Sequence, residues 1–195
     1  MPSATLPIDP AGNSRRSFLS GVGKVSLSAT AIALLGGQDH LALGRRAYAA
    51  PSNNDITILN SALGAEHEAV AAYQVGAQSG LLQKPVLDLA VQFQGHHKQH
   101  VEALAQTIRK LGGKPVDAQA SYSFPTQKLK TQADVLGFAA GLEKGAVSAY
   151  LGAVPVLGDR ELAKVAASIL GDEAMHWAIL RQALGQDPVP AAFMS

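Results

Sequence analysis

From Asn54 onward, apolar positions recur at alternating steps of three and four, and four such stripes follow one another along the chain. The first runs Ile56, Leu59, Leu63, Glu66, Val70, Tyr73, Ala77 and predicts a helix over about 55–78, because a 3.6-residue period keeps these positions on one face. A second helix is expected from Pro85, which suits a first helical turn, with the stripe Val86, Ala90, Phe93, His97, His100, Leu104, Ile108, Leu111. Gly112-Gly113 and Pro115 should stop it. Thr131 with Asp134 three residues on reads as a capping-box start for a third helix, striped by Leu136, Ala140, Glu143, Val147, Tyr150 and Val154. The fourth follows Gly158-Asp159 with Leu162, Ala166, Ile169, Glu173, His176, Leu180, Ala183 and ends at Gly185. Short connections make helices one–two and three–four antiparallel hairpins. Some 18 polar, Pro- and Gly-containing residues separate the hairpins, enough to cross a bundle from end to end.

Six polar residues sit on these apolar stripes: Glu66, His97, His100, Glu143, Glu173 and His176. No Lys or Arg joins them. Burying an unpaired carboxylate costs several kcal/mol even after relaxation, against a whole-domain stability of roughly 5–15 kcal/mol. Either a cation sits among the three carboxylates or they are protonated. A divalent metal is the economical answer, since oxygen and imidazole ligands suit iron, manganese or zinc. Glu173-x-x-His176 places a carboxylate and an imidazole one turn apart on one face, within reach of a single ion. His97 or His100 in isolation would read as a hydrogen-bonded core histidine. His67, His96, Glu68 and Glu102 fall off the stripes and are expected in solvent.

The hairpins look like copies. Glu66-x-x-Ala69-Val70-x-Ala72-Tyr73 recurs as Glu143-x-x-Ala146-Val147-x-Ala149-Tyr150, and each Glu is followed by a histidine, His100 after 34 residues and His176 after 33. Together with the Leu111-Gly112-Gly113 close of helix two and Glu173-x-x-His176, this pattern resembles the ferritin-like di-iron and di-manganese carboxylate bundles over about residues 55–185. The resemblance implies an all-α, ferritin-like four-helix bundle with a metal centre of Glu66, His97, His100, Glu143, Glu173 and His176. Tyr73 and Tyr150 would support ligand carboxylates with their hydroxyls. One departure stands out: the family's second Glu-x-x-His is His97-x-x-His100 here. Three carboxylates then face two divalent ions one charge short of neutrality, with Glu173 the sole bridging carboxylate. The implied cofactor is iron or manganese, two ions per chain or one.

Composition narrows the rest. The chain has 195 residues and no Cys, which excludes disulfides, thiolate metal sites and iron–sulfur clusters, and with them a rubrerythrin-type electron-transfer domain. The N-terminal run Ser14-Arg15-Arg16-Ser17-Phe18-Leu19 resembles the twin-arginine export motif, with Ser20 in place of the usual Lys. The apolar stretch Val25 to Leu35 is too short to span a bilayer, and Ala47-Tyr48-Ala49 reads as a cleavage site. Residues 1–49 are therefore expected to be a signal peptide handed to the twin-arginine translocase and cleaved at Ala49. A linker over 50–54, the bundle over 55–185 and a tail over 186–195 follow. Without the first 49 residues, 11 basic and 13 acidic side chains remain, and no basic stripe marks a nucleic-acid partner.

These readings converge on a periplasmic or otherwise exported metalloprotein, a homodimer being compatible with them, whose di-metal centre reacts with oxygen or peroxide. The competing expectation is a metal-binding or structural bundle without catalysis. A storage cage is disfavoured because only ten residues follow Gly185, too few for the short fifth helix of cage-forming ferritins.

Overall fold

The protein is described by a computed structural model over residues 53–194. The export motif at Arg15 and Arg16 and the cleavage site at Ala49 lie outside those residues. Within them the chain forms four helices: α1 Asn53–Gln78, α2 Lys84–Lys110, α3 Gln132–Ala153 and α4 Arg160–Ala183. Two single-turn 3-10 segments, Thr126–Lys128 and Val154–Val156, are added. No strand is present among the described residues.

Local chemistry sets the boundaries. Thr131 caps α3 through the expected reciprocal box, its hydroxyl accepting from Asp134 N while Asp134 accepts from Thr131 N. Asp159 caps α4 by accepting from the backbone of Glu161 and Leu162. After α2, Gly112 takes φ +79°, a left-handed value that costs glycine nothing. A Cβ at Gly113 would lie 2.7 Å from Ile56 Cγ2, so only glycine lets the chain pass so close to α1. Val154, expected as the last stripe position of α3, instead begins the 3-10 turn, where Pro155 cannot continue the α-helical ladder.

End-to-end contacts fix the topology. Gly158 N donates to the buried Asp55 carboxylate at 2.8 Å, and Gly113 abuts Ile56, so the starts of α1 and α4 share one end with the close of α2. At the other end, Gln83 N donates to Gln132 Oε1 and Gly76 faces Val135. The stretch from Leu111 to Thr131 therefore runs the full length of the bundle. Asn60 clamps its beginning, donating to Lys114 O at 3.1 Å and accepting from Val116 N at 2.8 Å. Two antiparallel hairpins joined by a long crossover result, the expected ferritin-like architecture.

The apolar core divides in two. Leu59, Leu63, Leu104, Ile108, Leu162 and Ile169 fill one end. Tyr73, Phe93, Leu136, Ala140 and Leu180 fill the other. Each fully buried aliphatic side chain contributes roughly 1.5–3 kcal/mol. Glu66, His97, Glu143, Glu173 and His176 are buried between the two clusters, at the middle of all four helices. The bundle thus has two hydrophobic ends and a polar waist.

Candidate metal centre

All six predicted residues meet at that waist. α1 supplies Glu66, α2 His97 and His100, α3 Glu143, and α4 Glu173 and His176. Ligand atoms of Glu66, His97, His100 and Glu173 lie within 4.8 Å of one another, as do those of His97, Glu143, Glu173 and His176. These are two half-sites, related as the duplicated hairpins are. Glu66 with His100 belongs to one and Glu143 with His176 to the other. Glu173 and His97 are common to both.

Distances within the half-sites suit a shared ion. His100 Nδ1 stands 3.1 Å from Glu173 Oε1 and 3.4 Å from Glu66 Oε2. His176 Nδ1 stands 3.4 Å from Glu143 Oε1 and 3.7 Å from Glu173 Oε2. Ligands held about 2.0–2.2 Å from one ion are roughly 3–3.5 Å apart. Among the described residues, four buried side-chain atoms make no hydrogen bond: His100 Nδ1, His176 Nδ1 and both oxygens of Glu173. Orphaned buried polar atoms are costly and rare. Here they fall one imidazole nitrogen and one Glu173 oxygen to each half-site, the donor set that two ions bridged by Glu173 would satisfy. The residues fit a metal centre.

His97 stands between the two terminal carboxylates. Its Nδ1 is 2.9 Å from Glu66 Oε2 and its Nε2 3.4 Å from Glu143 Oε1. When both carboxylates are ionised they only accept, so each ring nitrogen then carries hydrogen and His97 is an imidazolium. Burial alone would lower its pKa, but the bonds to Glu143 and Glu66 outweigh it and raise the pKa to about 10. His100 and His176 follow the same logic: burial lowers them, Glu173 and Glu66 raise the first, Glu143 and Glu173 the second, each to about 9. Burial pushes Glu66 up, yet His100 and His97 leave it below the ordinary carboxylate range. Glu143 is likewise raised by burial but held well below that range by His176 and His97. Three imidazolium rings can therefore balance three carboxylates. This is a third solution to the buried-charge problem, beside a metal or protonated carboxylates.

Two tyrosines cross between the hairpins. Tyr150 Oη donates to Glu66 Oε1 at 2.7 Å, and Tyr73 Oη donates to Glu143 Oε1. Burial and the adjacent carboxylates raise both phenol pKa values well above ordinary, so the hydroxyls stay protonated as donors. Phe93 stacks on His176 with ring centroids 3.9 Å apart, fixing that ring's plane.

One expectation needs correction. His96 is half-buried rather than solvated, and its Nδ1 lies 2.8 Å from His176 Nε2. His67 is also half-buried, whereas Glu68 and Glu102 are exposed as expected. Periodicity missed Asp172 altogether. Its Oδ2 lies 3.2–3.4 Å from His96 Nδ1, His176 Nε2 and His100 Nε2. The signal was present: Asp172 precedes His176 by four residues, and His96 precedes His100 by four, so each pair shares a helix face.

The sequence profile of the ferritin-like domain matches residues 54–186. Among solved structures, a conserved hypothetical protein of Mycobacterium tuberculosis superposes with TM-score 0.62 at 23% identity, covering 71% of this chain and 96% of its own. A mycobacterial bacterioferritin gives TM-score 0.62 at 17% identity, covering 69% and 84%. A ferritin-like diiron-carboxylate protein from Bacillus anthracis gives 0.59 at 20%, covering 67% and 95%. At these identities the likeness concerns the fold. No protein of curated function matches the sequence.

Proposed function

This chain belongs to the ferritin-like domain family, and on that footing we propose that it is an exported di-metal protein, of iron or manganese, that reacts with oxygen or peroxide. The observation carrying this reading is the set of four orphaned buried atoms on His100, Glu173 and His176, divided evenly between the half-sites. When bound there, two adjacent redox-active ions supply two electrons to an oxygen or peroxide substrate. The side chains do the remaining work. Glu66 and Glu143 serve as terminal ligands, each steadied by a tyrosine from the opposite hairpin. Glu173 serves both half-sites. His97 contributes positive charge between the terminal carboxylates, its two N–H groups holding Glu66 and Glu143 in place.

Access supports the same reading. A groove of about 480 Å³ between α1 and α3 leads to Glu66, His97, Glu143 and Tyr150. Ala65, Ala69, Gly141, Gly145 and Ala149 line its sides, and their small side chains keep it open. It is far larger than oxygen or peroxide needs, so it leaves room for a small organic reductant.

The test is to load the chain anaerobically with ferrous ion, then mix it with oxygen or hydrogen peroxide and follow absorbance and oxidant consumption. Oxidation faster than free ferrous ion under the same conditions supports the proposal, and oxidation at the free-ion rate removes the redox role. A second reading, a metal-binding bundle without turnover, is favoured by one observation: His97 stands where a bridging carboxylate would complete charge balance. Export rests on Arg15, Arg16 and Ala49. No described helix is long and apolar enough to cross a membrane.

A further inference from the structure

His100 and His176 each turn one nitrogen toward the buried centre and the other toward a second cluster. The Nδ1 atoms face the carboxylates of the waist. The Nε2 atoms instead lie 3.4 and 3.3 Å from Asp172 Oδ2. His96 Nδ1 completes this outer group, 3.2 Å from the same oxygen and 2.8 Å from His176 Nε2. Solvent reaches the group from outside: the His96 and Asp172 side chains are 32% and 22% exposed, against 2% for His176.

Donor atoms bound about 2.0–2.2 Å from one tetrahedral ion are roughly 3.3–3.5 Å apart. The separations of Asp172 Oδ2 from His96 Nδ1 and His176 Nε2 already match this, and the ligand atoms of these three residues all lie within 4.8 Å of one another. The 2.8 Å contact between His96 and His176 is a hydrogen-bond length, and a shift of about half an ångström by the part-exposed His96 ring would bring it into line. Imidazole with one carboxylate is a donor set for borderline divalent cations. We infer that His96 and Asp172, with the Nε2 atom of His176, form an outer three-ligand site for a divalent cation of the zinc, cobalt or ferrous class, through which the buried centre is loaded.

The inference rests on reading the waist as a metal centre, and it explains why the two clusters share His176. A neutral imidazole has one lone-pair nitrogen at a time. His176 therefore serves an outer ion through Nε2 or an inner ion through Nδ1, so the two positions compete for it. An ion at the outer site is passed inward rather than stored. Once it has moved, Asp172 changes from ligand to acceptor for the Nε2–H groups of both histidines, and holds their Nδ1 atoms on the inner ion.

Stopped-flow mixing of the metal-free full chain with Co²⁺ tests this, using wild type and His96→Ala, followed by equilibrium Co²⁺ content and affinity. His96 is half-buried and contributes no atom to the waist, so folding of the variant can be checked by circular dichroism. When the outer site is in rapid exchange, the loading rate tracks its affinity. Losing one partner should then slow loading about tenfold to a hundredfold and leave final Co²⁺ content and affinity as in wild type. A brief Zn²⁺ soak should place anomalous density between His96 and Asp172. Loading of His96→Ala at the wild-type rate would overturn the inference. So would a loss of affinity with an unchanged loading rate, which would make His96 a prop for the His176 ring. A wild type that takes up no Co²⁺ at the waist would instead remove the metal reading itself, and the loading role with it.

Discussion

Tyr150 on the second hairpin donates its hydroxyl to Glu66 Oε1 on the first at 2.7 Å, and both groups are buried. The reverse pair, Tyr73 to Glu143, repeats the bond in the opposite sense. The duplicated motif thus works by exchange, each hairpin's tyrosine steadying the other hairpin's carboxylate. Tyr150→Phe should cost about 1.5–3 kcal/mol of metal-free stability, the usual range for a hydrogen bond to a charged group. Its metal affinity should fall about tenfold to a hundredfold. Chemical denaturation with and without Mn²⁺ measures both quantities, and a neutral substitution would show that Glu66 needs no such support.

Stability should respond to pH in opposite directions with and without metal. His97, His100 and His176 have folded pKa values raised to about 10, 9 and 9 from an ordinary 6.5. Their contribution is complete below about pH 6.5 and is lost as pH climbs through 9 to 10. Glu66 and Glu143 are lowered, so theirs is present above about pH 4.5 and lost as acid carries pH through their folded values. The metal-free protein should therefore be most stable near pH 5–6.5 and weaken toward pH 10. Metal must displace the imidazole protons, so its binding tightens as pH rises, and the added stability of RT ln(1 + [L]/Kd) grows with it. Melting curves between pH 6.5 and 9, with and without Mn²⁺, should diverge. Parallel curves would mean that metal does not compete with those protons.

His97 decides the charge of the centre. His97→Glu restores a fourth carboxylate and a Glu-x-x-His pair on α2, balancing two divalent ions. The variant should hold its second ion more tightly than wild type, with metal content rising toward two per chain. Its metal-free form should be weaker by roughly 3–5 kcal/mol, the usual cost of leaving a buried charge uncompensated, because an imidazolium between Glu66 and Glu143 becomes a fourth carboxylate. Ferrous titration beside a denaturation curve reads both effects. Flat metal content with a weakened fold would take His97 out of the site.

Much of this was legible in the sequence because bundle helices announce themselves by period. The stripes located the helices to within a few residues; Thr131 and Asp159 set the starts of α3 and α4, and the glycines at 112, 113 and 185 the stops. Glu66, Glu143, Glu173 and His176 stood out because a charge on an apolar stripe has no solvent to turn to. His96 and Asp172 did not, because periodicity sorts positions into two faces, whereas the flank of a packed helix is half-buried and can still reach a neighbour. Asp55, Asn60 and the exchange of tyrosines were hidden for another reason. Each depends on which helix ends meet, and no local pattern encodes that.

The proposed export signal is separable from the bundle. Arg15→Lys with Arg16→Lys should leave full-length precursor in the cytoplasm, while wild type is shortened near Ala49. Fractionation with mass spectrometry of the N-terminus distinguishes the two. Normal export and processing of the double variant would rule out the twin-arginine route.

The central claim is that the orphaned atoms of the waist exist to hold metal. Crystals of the chain soaked in Mn²⁺ and measured at the manganese edge test it most directly. The account predicts anomalous density at the waist, one peak contacting Glu66, His100 and Glu173 and a second contacting Glu143, His176 and Glu173. One of the two peaks should be the weaker in wild type, given the missing carboxylate. A waist without anomalous density at saturating Mn²⁺, with His97 still bonded to Glu66 and Glu143, would contradict it and leave a self-neutralised polar core.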